Sequence, residues 1–148
     1  MNRTSLVSTL AGLMILAAGA ASAREAKTAN LAVTFTGITK TTGAIMMAMF
    51  DSQAAYEGDD AKPIRVAVVP AGSAEVSTAF EGLAPGHYAI KLYHDVNGDG
   101  KMNTNPFGMP TEPYAFSNNA KGNMGPAKWP DAMFNLDIGE NKQSITID

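Results

Sequence analysis

The stretch Leu83-Ala84-Pro85-Gly86-His87-Tyr88 decides the fold. Its proline and glycine form a tight corner, because proline fixes φ and glycine accepts backbone conformations that other residues avoid. After the corner, Tyr88, Ile90 and Leu92 share one face of a strand. A tyrosine just after such a corner can bond its hydroxyl to nearby backbone, as in the tyrosine corner of Greek-key sandwiches. The stretch therefore predicts a β-sandwich.

The segments on either side of this corner show the signals of short strands separated by turns. Most of them alternate apolar and polar residues. The apolar run 44–50 could be a central strand or a short helix, and its position between turns favours a strand. Only one helical turn is expected, near 54–56. The predicted strands lie within 31–35, 44–50, 64–68, 76–80, 88–92, 134–138 and 145–147. About seven strands predict an all-β, immunoglobulin-like or transthyretin-like antiparallel β-sandwich with one long ordered loop.

Residues 1–23 have the features of a secretory signal peptide. Arg3 is the only charged residue, an apolar run covers 10–18, and small residues at 21–23 form a cleavage site. The alternative is an uncleaved membrane anchor, although the apolar run is short for a bilayer span. We expect export to the periplasm or the cell exterior, with no membrane span after cleavage. A polar leader at 24–29 and one domain at 30–148 would follow.

The composition of the chain excludes several classes of function. It has 148 residues, no cysteine and a formal net charge of −3. Without cysteine there are no disulfides, thiolate metal sites or catalytic thiols, so stability depends on core burial and on any bound ion. The basic residues do not cluster, which disfavours nucleic-acid binding because such binding depends on neutralising phosphate charge.

Segment 95–131 departs from the strand pattern. It is rich in Asn, Gly and Pro and shows no clear strand. Long structureless connections inside compact domains are uncommon and are usually functional or disordered. Apolar anchors such as Phe107 and Trp129 indicate that this one is ordered and packed. We therefore expect the function of the protein to lie in this loop.

The loop opens with Asp95-Val96-Asn97-Gly98-Asp99-Gly100, which matches the start of a calcium-binding loop. Oxygen-bearing side chains at alternate positions can point into one concavity, and a glycine then allows a sharp turn. A backbone carbonyl and further side-chain oxygens downstream would complete the set. The predicted ligands of Ca²⁺ are Asp95, Asn97, Asp99, Lys101, Asn103 and Glu112.

The match to a calcium loop is incomplete. Its twelfth position is Pro106, where a helix–loop–helix calcium site has a bidentate glutamate, and a strand rather than a helix precedes it. Two carboxylates with several amides predict weak binding, of the kind found in extracellular modules. The alternative is an Asx-turn hairpin in which the Asp and Asn side chains bond to their own backbone.

An acid–base site is a further possibility at the start of this loop. His94 stands beside Asp95 and could act with it or with Glu112, either in proton transfer or as a metal ligand. A hydrogen-bonded residue at the end of a strand is the simpler interpretation. No serine lies in a nucleophile motif, so a hydrolase triad is poorly supported.

The methionines raise a minor alternative, periplasmic copper binding. Thioethers together with a histidine could hold Cu(I) in an exported β-sandwich. The seven methionines after the signal are at 46, 47, 49, 102, 109, 124 and 133. Three of them lie in predicted strand 44–50, where methionine mostly fills gaps in the core. Core packing is therefore the preferred interpretation.

Aromatic and amide side chains late in the loop predict a ligand surface. Aromatic faces can stack on a sugar or another small ligand while amides bond its hydroxyl groups. The same aromatic residues could instead pin the loop to the sandwich. The candidate residues are Tyr114, Phe116, Asn118, Asn119 and Trp129.

The sequence resembles the DUF2141 family of exported bacterial proteins over nearly all of the chain after the signal. The resemblance is carried by FEGLAPGHY at 80–88, HDVNGDGK at 94–101, GMPTE at 108–112, Tyr114 and FSNN at 116–119. It implies export and a β-sandwich, and it places the family pattern in the same loop. Family members with an aspartate near the position of Asn103 imply a more strongly charged loop than this one.

Together these patterns predict an exported, non-catalytic β-sandwich module. A divalent cation, calcium, would order a recognition surface along 95–119 for a small molecule, a glycan or a protein. The alternatives are an enzyme that uses His94 with Asp95 or Glu112, and a structural domain without a ligand.

Overall fold

The computed structural model describes residues 27–60 and 62–148, which fold into two β-sheets with two short helices. The predicted signal peptide and leader residues 24–26 lie outside the described residues. The elements are β1 (Ala29–Thr36), β2 (Ala44–Phe50), α1 (Gln53–Glu57), β3 (Arg65–Pro70), β4 (Val76–Leu83), β5 (Gly86–Asp95), β6 (Tyr114–Phe116), α2 (Trp129–Ala132), β7 (Phe134–Leu136) and β8 (Gly139–Thr146). The all-β prediction is confirmed. None of the helices in the described part of the chain has the length and apolar character needed to cross a membrane.

The eight strands divide into a three-stranded and a five-stranded sheet. The smaller sheet has the order β4-β1-β8. Strands β1 and β8 run parallel, so the prediction of an antiparallel sandwich is wrong for this pair. The larger sheet has the order β3-β2-β5-β6, with β7 paired to the start of β5. Its pairings are antiparallel. Strand β5 is thus central to the larger sheet, and the long loop leaves from its end.

The main core lies between the two sheets. Alternate residues of β1 point inward, and so do alternate residues of β2 and β5. These buried side chains form one apolar cluster that includes Leu31, Val33, Phe35, Ile45, Met47, Met49, Ile90 and Leu92. The two-residue period of β1 and β5 therefore identified the inward face of each strand.

The corner before β5 has the bond that its sequence predicts. The Tyr88 hydroxyl donates a hydrogen bond to the Ala84 carbonyl at 2.7 Å. The Tyr88 ring is buried in the core and lies 6.5 Å from the Phe134 ring, centroid to centroid. The corner is thereby fixed both by packing and by a hydrogen bond to backbone.

A second apolar cluster covers one end of the outer face of the five-stranded sheet. Helix α1 lies where the helical turn was predicted, and it buries Tyr56 against Phe50, with ring centroids 5.6 Å apart. The Tyr56 ring also meets the Trp129 ring of α2 edge-on at 5.8 Å, and its hydroxyl donates to the Ala127 carbonyl at 3.0 Å. The two helices thus cap one end of this face.

Three expectations need correction. Segment 95–131 is not one continuous loop, because it contains β6 and a 3-10 turn at 117–119. Strand β1 begins at Ala29 rather than at 31, and β8 begins at Gly139 rather than near 145. In each case a neighbouring strand supplies the hydrogen-bond partners. Such long-range pairing leaves no apolar alternation in a segment as short as β6 or as polar as the start of β8.

Candidate functional site

The outer face of the five-stranded sheet is apolar across four strands. The register places Val66, Ala48, Lys91 and Phe116 in one row across the sheet. The next row holds Val68, Met46, Tyr93 and Tyr114. Val66 is 67% exposed and Val68 is 63% exposed. The face of an antiparallel sheet that is exposed to water usually carries polar residues. The apolar composition of this face is therefore typical of a surface that binds a ligand or a partner.

Two loop segments border this face and make it a cleft of about 1140 Å³. One wall comes from residues 102–110 of the loop after β5, and the other from residues 122–126. Thioether side chains from the sheet and from both walls meet the cleft, at Met46, Met102, Met109 and Met124. A flexible, polarisable lining of this kind adapts to ligands of different shape.

Lys91 is the one charged side chain among the described residues that line the cleft. Its ammonium lies 4.2 Å from the centroid of the Tyr56 ring and donates a hydrogen bond to the Tyr56 carbonyl. Burial lowers the pKa of Lys91, an effect that nearby Glu57 opposes. The cleft therefore has an apolar floor with a single, partly desolvated cation at one end.

The first turn of the loop after β5 is organised by Asp95. Its buried carboxylate accepts hydrogen bonds from the backbone N–H groups of Gly98 at 2.8 Å, Asp99 at 3.1 Å and Gly100 at 2.8 Å. Gly98 and Gly100 adopt φ of 73° and 75°, a region that favours glycine. The Asp-x-x-Gly-x-Gly spacing thus encodes a turn wrapped around one carboxylate.

Three of the predicted calcium ligands come together at the tip of this turn. Asn97 Nδ2 lies 3.2 Å from Asp99 Oδ2 and 3.0 Å from Asn103 Oδ1. Asn103 Nδ2 donates to Asp99 Oδ2 at 2.9 Å. This bond, followed by one from the Lys101 backbone N–H, lowers the pKa of Asp99. The Asp99 carboxylate is therefore held ionised by two amides and a backbone donor.

Glu112 closes the loop and does not join these ligands. Its carboxylate is buried and accepts from the backbone N–H groups of Val96 and Asn103, each at 3.0 Å. It therefore ties the two ends of the first turn together. Lys101 donates its N–H to Asp99 Oδ1 at 2.9 Å. The pattern contains the Asx-turn bonds of the structural alternative together with a convergence of Asn97, Asp99 and Asn103.

In the part of the chain that the structure describes, no group of three or more His, Cys, Asp or Glu side chains is placed to hold a metal ion. A cation at this loop would accordingly depend on the amide oxygens of Asn97 and Asn103 and on backbone carbonyls as well as on Asp99. Hard oxygen ligands of this kind suit Ca²⁺ rather than a transition metal.

His94 lies on the inner face of β5 and is 1% exposed. Its Nε2 is 2.7 Å from the Thr42 carbonyl, whereas Glu112 bonds to backbone. Gly43, which follows Thr42, has φ of 68°, and a Cβ on Gly43 would lie 1.8 Å from the Asp95 carbonyl oxygen. His94 thus fixes the turn on which the loop rests, and it is not brought into a hydrogen bond with Glu112.

The residues predicted as a ligand surface divide into two groups. Tyr114 and Phe116 line the cleft. The Asn118 amide donates to the Met133 carbonyl at 2.7 Å, and the Asn119 amide oxygen accepts from the Thr146 N–H at 2.8 Å. Trp129 packs on Tyr56 and anchors α2. Asn119 also borders a smaller depression of about 230 Å³ beside Tyr114. The aromatic pair therefore belongs to the main cleft, whereas Asn118, Asn119 and Trp129 bind and pack within the protein.

The cleft floor was not anticipated from the sequence, although a signal for it exists. The run Ala44–Phe50 is apolar at every position, whereas a strand with a single buried face alternates. Met47 and Met49 fill the core as predicted, but Met46 points to the other side and lines the cleft. In β3 the apolar residues 66 and 68 face outward, and Ala67 and Val69 pack against the core.

A comparison with known families finds a match that covers nearly the whole two-sheet unit. One family model, described as an uncharacterized protein conserved in bacteria (DUF2141), matches residues 33–146. The chain belongs to the DUF2141 family. The DUF2141 match runs from within β1 to the end of β8 and contains both the loop and the cleft floor. Neither the comparison with curated proteins nor that with solved structures returned a match.

Proposed function

We propose that the protein is an exported, non-catalytic binding module whose 95–112 loop holds Ca²⁺ and thereby orders one wall of a ligand-binding cleft. The observation that carries this proposal is the position of that wall. Met102, Thr104 and Met109 line the cleft, and they lie between Asp99 and Glu112 in the loop. Any cation that stiffens the loop also fixes the shape of the cleft.

The side chains at the tip of the loop support a weak cation site. Asn97, Asp99 and Asn103 already meet within hydrogen-bond distance. Rotation of an asparagine amide about its last bond exchanges a donor for a carbonyl oxygen, so both amides could turn an oxygen toward a cation. Ca²⁺ accepts six to eight oxygens in flexible geometry and tolerates amides and backbone carbonyls among them.

The distribution of titratable groups supports a binding role over catalysis. The described residues that line the cleft include no carboxylate and no histidine. The acid–base candidates are used elsewhere, since Nε2 of His94 meets the Thr42 carbonyl and Glu112 holds two backbone N–H groups. A general base must reach the proton it removes, and none of these groups opens into the cleft.

Export and the detailed fold type complete the proposal. Export is supported by the charge, apolar run and small residues of positions 1–23. An immunoglobulin-like or transthyretin-like sandwich is supported by the three-stranded and five-stranded sheets and by the Tyr88 corner.

Thermal unfolding in calcium and in chelator tests the cation. With calcium at ten times its dissociation constant, the wild-type midpoint should rise by roughly 3 to 6 °C over that in chelator. Asp99→Ala should abolish the rise, because Asp99 is the carboxylate at the tip of the loop. Asp137→Ala is the matched control, since Asp137 accepts from Asn135 in a turn outside the loop. A wild-type midpoint that ignores millimolar calcium, or an equal rise in Asp99→Ala, would leave the Asx-turn hairpin as a purely structural element.

A further inference from the structure

We infer that the cleft binds a single-chain amphiphile with an anionic headgroup, its alkyl chain on the outer face of the five-stranded sheet and its carboxylate at Lys91. This inference rests on the proposed function, because it names the ligand of the same surface, but it does not require calcium. The ligand class is that of a fatty acid.

The floor of the cleft is suited to an alkyl chain. Val66, Val68 and Met46 form a continuous apolar surface, and Met109 of the wall is 61% exposed beside them. Contiguous exposed apolar surface on a soluble protein usually marks a binding site. A cleft of about 1140 Å³ has ample room for one alkyl chain. Methionine side chains can follow the bends of such a chain because they are unbranched.

Lys91 is suited to an anionic headgroup. An ammonium has three donors, and one is used on the Tyr56 carbonyl. In the described part of the chain the one salt bridge joins Lys121 to Asp148, so Lys91 has no carboxylate at ion-pair distance. The charge of Glu57 raises the pKa of Lys91 and so stabilises its protonated form, whereas the charge of Lys128 lowers that pKa. A partly buried cation with spare donors at the end of an apolar cleft fits an anionic headgroup.

The same charge disfavours the other occupants of an apolar face. In a two-fold dimer the same patch of both copies would be covered, so two Lys91 ammonium groups would be buried without carboxylate partners. A sugar would need several polar groups to replace its hydration, but apart from Lys91 the polar side chains among the described lining residues are those of Tyr93, Tyr114 and Thr104. An anionic amphiphile would both pair with the Lys91 ammonium and cover the apolar floor of the cleft.

Titration calorimetry with three twelve-carbon probes tests this inference, each probe below its micelle concentration. Dodecanoate should bind the wild type, and dodecyltrimethylammonium should bind at least about tenfold more weakly, because a charge-assisted hydrogen bond contributes roughly that factor. Lys91→Met should weaken dodecanoate by about tenfold and leave neutral dodecyl maltoside unchanged. Lys91→Arg keeps a cation at this position and should bind dodecanoate as the wild type does. Such a result would also show that the site tolerates substitution.

The floor of the cleft is tested by a pair of strand variants. Val66→Glu places a like charge in the apolar floor and should abolish dodecanoate binding. Ala79→Glu introduces the same carboxylate at an exposed position of β4 in the other sheet, and dodecanoate should bind this variant as it binds the wild type. Sedimentation of both variants and of the wild type should give monomers.

Three results would overturn the inference: no dodecanoate binding to the wild type, equal binding of the cationic and anionic probes, or a wild-type dimer that Val66→Glu dissociates. Each titration is repeated in chelator. A calcium-dependent unfolding midpoint without dodecanoate binding would reject the proposed amphiphile ligand and support the proposed calcium site. Dodecanoate binding without any effect of calcium would reject the calcium site and support the amphiphile ligand.

Discussion

The 95–112 loop and the outer face of the five-stranded sheet border the same cleft but differ in composition. The loop has buried polar groups with hydrogen-bond partners, whereas the sheet face has exposed apolar side chains. In the loop, Asp95 and Glu112 between them accept five backbone N–H groups. On the sheet, Val66 and Val68 are left mostly exposed to solvent. The two buried carboxylates of the loop are therefore satisfied within the protein, whereas the apolar side chains of the sheet face are left uncovered.

This difference separates stability from binding within one small domain. Buried polar groups must find hydrogen-bond partners, so a change in the loop exposes a desolvation cost that the folded protein cannot avoid. Exposed apolar groups contribute little to folding, since they are open to water in both the folded and unfolded states. Substitutions in the loop should mainly change stability, and substitutions on the face should mainly change ligand affinity.

The largest expected effect is at Gly43, the residue on which the loop rests. Gly43→Ala places a Cβ 1.8 Å from the Asp95 carbonyl oxygen and strains a φ of 68°, so the free energy of unfolding should fall by at least about 3 kcal/mol. Gly72→Ala is the control, because no atom lies within 4 Å of the added Cβ. Urea unfolding measures both. Similar stabilities for the two variants would mean that the loop does not rest on this turn.

An intermediate effect is expected at Glu112. Glu112→Ala removes the acceptor of two backbone N–H groups and should lower the free energy of unfolding by about 2 to 3 kcal/mol. Val68→Thr, on the sheet face, should change it by less than about 0.5 kcal/mol. Urea unfolding of the pair compares the two regions directly. An equal loss of stability in Val68→Thr and Glu112→Ala would show that the loop and the sheet face do not differ in this way.

The smallest effect is a pH dependence at Asp99. Its folded pKa lies below the ordinary value of 3.8, mainly because Asn103 donates to it. A lowered folded pKa gives stability that is present above the unfolded pKa and is lost as the pH falls through the folded pKa. Wild type should therefore be more stable than Asn103→Ala at pH 6, and this difference should shrink below pH 3.8. Urea titrations at several pH values measure it, and a pH-independent difference would contradict this role of Asn103.

The sequence predicted those parts of the fold that depend on local chemistry. The Tyr88 corner, the helical turn at α1 and the burial of Leu31, Val33 and Phe35 follow from turn residues and a two-residue period. Strand β6 could not be found in this way. Its three residues become a strand because they pair with residues 91–93 of β5, which is a long-range contact.

The cleft escaped prediction for a related reason. A valine at position 66 or 68 is apolar whichever way it points, and periodicity gives the alternation of a strand without its phase. The phase of β3 is set by pairing with β2, which turns Ala67 and Val69 toward the core. In the loop, spacing predicted that Asn97, Asp99 and Asn103 converge, and the Asx-turn alternative covers the backbone bonds of Asp95, which are local. The backbone bonds of Glu112 could not be predicted, because they depend on where the chain returns.

The most direct test of the link between the loop and the cleft is the dissociation constant of dodecanoate in calcium and in chelator. The wild type should bind dodecanoate about fivefold more tightly in calcium, since ligands that stabilise the same ordered state are coupled by at least about 1 kcal/mol. No difference is expected for Asp99→Ala, whose loop lacks the carboxylate at its tip. Equal affinity in calcium and in chelator for the wild type would show that the loop does not order the cleft through a cation.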